Sequence, residues 1–177
     1  MNPWQGVIED FSDLPTLSEA IRVAVRLTLA ALLGGVIGFE RELLGKTAGL
    51  RTHMLVGLGA ALFVVIPQQA GMTIADLGKV IAGVVTGVGF IAAGNILKQT
   101  DKQEIQGLTT AAGLWLTAAV GLAAGMGREA SALLGTVLTV FILVALQRIA
   151  RRLKRKASQA PLALTAPHAA DKAEPSG

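Results

Sequence analysis

Apolar residues gather in five runs along the chain, at about 21–39, 52–67, 77–97, 108–126 and 130–149, with short polar stretches between them. A bilayer core about 30 Å thick takes about 20 mostly apolar residues of helix, within a range of about 17–25. Backbone N–H and C=O groups find no water there, so each run is expected to be a helix that satisfies its own backbone. The second run is short and the fourth is rich in Thr, so their ends are the least marked. Pro67 and Gly71 punctuate the connection after the second run. Leu14-Pro15-Thr16-Leu17-Ser18-Glu19 reads as a helix start with Thr16 or Ser18 as its cap. The pattern predicts an all-α membrane protein, a bundle of five transmembrane helices. It divides into an N-terminal segment (1–20), the five-helix domain (21–149) and a tail (150–177) that is basic and then disordered.

Composition strengthens the membrane reading. Of 177 residues, 52% are hydrophobic and 16% charged, whereas soluble domains carry about 25% charged residues. The 21 glycines suit helices that approach one another closely. With no cysteine, disulfides, thiol chemistry and cysteine-based metal sites are excluded. The net charge of +4 raises the question of nucleic acid. The basic residues lie between the apolar runs and in one C-terminal cluster, so membrane topology explains them and no nucleic-acid partner is expected. The start of the chain is acidic (Glu9, Asp10, Asp13, Glu19), with no Lys or Arg before Arg22, unlike a cleavable signal peptide.

Charge also predicts orientation. Arg41, Lys46, Arg51, Lys98, Lys102 and the tail cluster Arg148, Arg151, Arg152, Lys154, Arg155 and Lys156 fall on one side of a five-span chain. The other side holds Lys79 and Arg128, with Arg22 and Arg26 at the end of the first span. The positive-inside rule then puts the N-terminus outside and the C-terminus in the cytoplasm. After Lys156 the sequence turns to Ala, Pro, Ser and scattered charge, too poor in apolar residues to fold. His168, within that stretch, reads as solvated.

The candidate chemistry lies where polarity meets the membrane. Charge costs about 2.5–3.5 kcal/mol per residue at a helix centre, yet Glu40 to His53 packs charges against two apolar runs. The predicted topology brings the ends of four spans to the inner face, and with them Glu40, Arg41, Glu42, Arg51, Thr52, His53, Asn95, Thr109 and Thr110. Arg51 and His53 flank a helix start, whose free N–H groups favour anions. Thr109 or Thr110 is expected to cap the fourth span. Residue by residue, caps and inside anchors explain these positions; as a set they form a candidate site. Small residues offer a second candidate. Gly34 and Gly38, Gly83 and Gly87, and Gly121 and Gly125 each place two glycines on one helix face, and Gly94 extends the stripe in the third span with Gly89 nearby. Such stripes serve internal packing or a partner. Arg22 and Arg26, one turn apart, read as interface anchors or a cationic site, with Glu19 as a partner for Arg22.

Three of these segments carry a family resemblance. Glu40-Arg41 with Gly45-Lys46 and Gly49-Leu50-Arg51-Thr52-His53-Met54-Leu55-Val56 resembles the first signature of the MgtC/SapB family of bacterial membrane proteins. Gly87-Val88-Gly89-Phe90-Ile91-Ala92-Ala93-Gly94-Asn95-Ile96 resembles the second. Gly107-Leu108-Thr109-Thr110-Ala111-Ala112-Gly113-Leu114-Trp115, with Thr117-Ala118-Ala119-Val120-Gly121, resembles the third. The match in order and spacing covers about Ile21 to Arg148. It departs at Gly83, where the family usually has Gln, at Ala92-Ala93-Gly94 in place of Gly-Ala-Gly, and at Gln103, Glu104 and Gln106 in place of basic residues. The resemblance implies a multi-pass protein of the bacterial inner membrane, linked to growth under magnesium limitation and survival in host cells. It further implies restraint of the proton-translocating ATP synthase through contact with its membrane part. The soluble domain that some relatives add after the membrane part is replaced here by the short tail.

Three function classes follow. The first is a regulatory membrane protein that binds another membrane protein, with a second copy of itself as a further partner. The second is a transporter or channel subunit linked to Mg²⁺. Ion pathways usually need acidic or carbonyl-rich positions within the membrane, and Glu40 and Glu42 lie at its edge. The third, an intramembrane enzyme, is not expected: Ser131 and His53 fall on opposite faces, and no H-E-x-x-H pair occurs. No catalytic residue, cofactor or metal is assigned.

Overall fold

The computed structural model of the protein describes residues 16–97 and 107–158. They form five helices, α1 (Leu17–Leu43), α2 (Leu50–Gln69), α3 (Ile74–Leu97), α4 (Leu108–Gly125) and α5 (Glu129–Ser158). Each contains a stretch long and apolar enough to cross a membrane, and no strand occurs among the described residues. The all-α architecture of five membrane-length helices is the one expected. The chain divides into two compact units, Met1–Ile142 and Leu143–Gly177. The first holds α1 to α4 and the beginning of α5. In the second, residues 143–158 are helical.

The helix ends explain where the apolar runs and the helices differ. Thr16 caps α1, its hydroxyl accepting from the Glu19 N–H at 3.2 Å. Three helices stop in the same way, with a left-handed glycine just past the end. After α1, Gly45 (φ +62°) donates to Glu42 O at 2.9 Å and Lys46 to Arg41 O at 3.0 Å. Gly71 with Met72 repeats this pair of bonds after α2, and Gly127 with Arg128 after α4. These bonds satisfy the last carbonyls of each helix, and a side chain at the glycine would be strained. Pro67 does not break its helix but lies inside α2 in its last turn, where it forgoes one hydrogen bond and the helix ends two residues later. Thr73 and Asp76 form a reciprocal cap at the start of α3, with Oγ1–Oδ2 at 2.7 Å and Asp76 N–Oγ1 at 3.2 Å.

The fifth helix passes the expected span end at 149 and continues through the basic run to Ser158. Arg, Lys, Gln and Ala are good helix formers, so hydropathy marks where lipid ends rather than where the helix ends. The tail from 159, His168, the acidic residues Glu9 to Asp13, and Lys98 to Gln106 lie outside the described residues.

Glycine sets the packing of α1, α2 and α4. A β-carbon at Gly34 would stand 2.5 Å from the His53 carbonyl oxygen, and one at Gly38 would stand 2.8 Å from the Gly49 oxygen, closing α1 onto α2. On α2, Gly57 sits where a β-carbon would lie 2.7 Å from Ala30 O. On α4, a β-carbon at Gly121 would meet the Gly57 Cα at 2.9 Å, and one at Gly125 would meet Ala61 O at 2.7 Å. With backbones this close, dispersion contact replaces what lipid would otherwise provide. The third helix joins through Leu77 and Val88, which cluster with Ala60, Val64, Ala118 and Leu122.

Candidate polar site at one end of the helices

The C-terminus of α1, the N-terminus of α2, the C-terminus of α3 and the N-terminus of α4 meet at one end, as the topology predicts. Their polar residues form two layers. In the inner layer, Arg41 Nε donates to Glu40 Oε2 at 2.5 Å, with the two side chains only 3% and 14% exposed. A charge pair this secluded holds because each charge cancels the other; removing one strands its partner. His53, fully buried, lies against α1 one turn before Arg41, its Cβ 2.8 Å from where a β-carbon at Gly38 would stand. Its Nδ1 lies 3.0 Å from the Gly49 carbonyl oxygen. A carbonyl only accepts, so Nδ1 carries the hydrogen and Nε2 presents a lone pair. Nε2 is buried without a partner among the described residues, against α4 at Gly113, where a β-carbon would stand 3.6 Å away.

The outer layer ties the loops. Glu42 reaches across the α1–α2 turn and accepts the Leu50 N–H at 2.7 Å. The anion expected near Arg51 and His53 is thus supplied by the chain itself, at the free N–H groups of α2. Arg51 is exposed and Thr52 half-buried. Thr47 Oγ1 donates to Asn95 Oδ1 at 2.6 Å, fastening α3 to the same turn.

The start of α4 differs from expectation. Its cap is Gly107 in a left-handed conformation (φ +96°), with no side-chain cap bond, so neither Thr109 nor Thr110 takes that role. A β-carbon at Gly107 would stand 3.3 Å from the Asn95 carbonyl oxygen, so this glycine meets both a positive φ and a close approach. Thr110 is drawn into the interior and Thr109 left exposed. Of the nine predicted residues, the structure brings Glu40, Arg41 and His53 together, sets Glu42 at the start of α2 and attaches Asn95 through Thr47. It does not bring in Arg51 or Thr109. Thr47 and Gly113 complete the arrangement and were not among the site residues predicted from the sequence. The buried face His53, Gly57, Ala61, Val64 recurs at helical spacing and was the available signal for the inward histidine.

The glycine stripe of α3 separates from those of α1 and α4. Around Gly83, Gly87, Gly89 and Gly94, as at Gly78, no described atom lies within 4 Å of where a β-carbon would be, so internal packing does not account for them. Phe90 on the same helix is 82% exposed. Nor does Glu19 pair with Arg22 among the described residues; Arg26 instead faces Glu129 at 3.9 Å, at the opposite end of the helices.

Chemically, the polar end is a knot. One carboxylate neutralises Arg41 and the other caps α2, and the described residues hold no group of three His, Asp or Glu placed to share a metal. Such a knot fixes the ends of four helices relative to one another.

The MgtC family profile matches residues 27–152. The chain is 44% identical over 139 residues to "Putative magnesium transporter YhiD" of Escherichia coli K12, covering 75% of this chain and 64% of that one. It is 41% identical over 140 residues to protein SrpB of Synechococcus elongatus, covering 73% and 77%. It is 36% identical over 131 residues to protein MgtC of Salmonella typhimurium, covering 74% and 55%. The chain thus spans less than two thirds of YhiD and about half of MgtC. No solved structure matches it.

Proposed function

The chain belongs to the MgtC family, and from that premise we propose that it is a regulatory protein of the bacterial inner membrane that acts by binding another membrane protein. One observation carries this reading. Glycines with the same four-residue spacing press on neighbouring backbone in α1 and α4 but meet nothing in α3. A small-residue face turned to lipid forgoes the close contacts it is shaped for, whereas a partner helix recovers them. The polar knot then serves as the frame that presents α3. By the positive-inside rule the knot faces the cytoplasm and the N-terminus lies outside. The family resemblance makes the membrane part of the ATP synthase the first partner to try, with a second copy of the chain as control.

Photo-crosslinking from position 83 or 87 in native membranes tests this. A discrete protein adduct is expected there and only lipid adducts from Leu32 on α1, which is itself exposed. Equal labelling at both places would sink the reading. Gly87→Leu is further expected to insert normally and to lose the growth effect at low magnesium.

Transport is the second reading, favoured by the name of the YhiD relative. It requires Mg²⁺ flux above that of empty vesicles after reconstitution. Glu40 is engaged by Arg41 and Glu42 lies at the edge of the span, so no free carboxylate among the described residues sits within the spans to pass a hydrated cation, which weighs toward regulation.

A further inference from the structure

At the end of the helices remote from Arg41, a cleft of about 240 Å³ opens between the first turns of α1 and the last turn of α2. Arg22, Arg26, Gln68 and Gln69 line it, together with Glu19. Two features make it more than a surface fold. The first is depth. A helix of 27 residues is about 40 Å long at about 1.5 Å per residue, about 5 Å longer at each end than a 30 Å core if centred in it. Arg26, nine residues into α1, then lies about 8 Å inside the hydrocarbon edge. A cation at that depth calls for a counter-charge.

The second feature is that the counter-charge present is weak. Arg26 meets Glu129 only at 3.9 Å and donates to Gly125 O only at 3.5 Å. Close N⁺–H···O⁻ bonds run about 2.7–2.9 Å. Its Nε is buried and has no hydrogen-bond partner among the described residues. Arg22 forms no ion pair among them either. The lining therefore holds two guanidinium groups, two side-chain amides and a single carboxylate, running from the water–lipid boundary down to Arg26.

We propose that this cleft binds a phosphate group, the headgroup of an anionic phospholipid being its source in the membrane. The planar guanidinium fork matches tetrahedral phosphate oxygens in a way that a lysine does not. The two glutamine amides supply neutral donors. Val23 and Val65 complete the lining and give the glycerol and upper acyl chain an apolar wall. Glu19 opposes the bound anion and limits its affinity.

The test uses the purified full-length protein in mild detergent, with native mass spectrometry and thermal unfolding after addition of phosphatidylglycerol or, separately, inorganic phosphate. A stabilising one-to-one adduct with phosphatidylglycerol is expected, weakened roughly tenfold in Arg22→Gln, as the loss of one charge-assisted hydrogen bond implies. Glu19→Gln is expected to strengthen it. Arg22 is exposed, so its replacement keeps the fold; Arg26 packs against Gly127 and is left in place. An Arg22-dependent adduct with inorganic phosphate but not with the lipid also supports the site and assigns it a soluble source. No adduct with either, or an adduct indifferent to both Arg22→Gln and Glu19→Gln, overturns the proposal and returns the arginines to plain interface anchors.

Discussion

Gly34 and Gly38 on α1 repeat the spacing of Gly83 and Gly87 on α3, yet the two pairs live in different surroundings. A β-carbon on the first pair would run into the backbone of α2, at 2.5 Å and 2.8 Å from carbonyl oxygens. One on the second pair would meet nothing within 4 Å among the described residues. A four-residue glycine spacing therefore states only that a face is flat. What covers the face depends on whether the neighbouring helix brings a flat face of its own. Gly57 answers Gly121, whereas α3 meets its neighbours through Leu77 and Val88 on another side. The closed seams serve folding; the open one is the face we propose for a partner helix.

The sharpest way to break the closed side is at its polar end. Arg41→Leu leaves Glu40 buried without its counter-charge and is expected to cost about 3–5 kcal/mol, as for other broken buried pairs. Thermal unfolding in mild detergent should show this as the largest loss. Gly38→Ala comes next. Its methyl meets backbone of α2 at 2.8 Å, and backbone cannot swing aside, so a loss of about 1–3 kcal/mol is expected. Unchanged melting of Gly38→Ala would show that the seam is looser than drawn.

Smaller effects probe the interior with the opposite sign. Gly113→Ser places a hydroxyl beside the unpartnered Nε2 of His53, since a β-carbon there makes ordinary contact at 3.6 Å. A gain near 0.6 kcal/mol, the mean for hydrogen bonds between membrane helices, is expected in the same melting experiment. Smallest of all, Gly83→Ala should leave stability within about 0.5 kcal/mol or raise it slightly, because alanine is the better helix former and nothing is crowded. A marked loss there would mean that the α3 face is packed after all, and the contrast with α1 would fall.

These contrasts also show what was legible in the sequence. Membrane-length apolar runs gave all five helices, since a backbone in lipid has few other ways to satisfy itself. Thr16 and Gly71 were readable as ends because capping and positive φ are local matters. The inward turn of His53 and the cap at Gly107 were not read, because each depends on a neighbour distant in sequence. His53 packs against α1 and α4, and Gly107 against Asn95. A rule that places Thr at helix starts has no view of a backbone arriving from another helix. The same blindness left the glycine pairs of α1 and α3 indistinguishable.

The closed seams join α1, α2 and α4, which are not consecutive in the chain. During synthesis α3 leaves the ribosome before α4, so the flat face of α2 at Gly57 must stay vacant while α3 passes by. The α1–α2 seam at Gly34 and Gly38 needs nothing from α4, whereas the seat at Gly57 and the core cluster around Val88 are complete only once α4 has arrived. The Thr47–Asn95 bond ties α3 to the α1–α2 turn at one end, and Leu77 and Val88 pack it against α2 and α4 farther along. Only the outer face of α3, with Gly83 and Gly87, stays open, so its place is set by α4 as much as by the turn it is tied to.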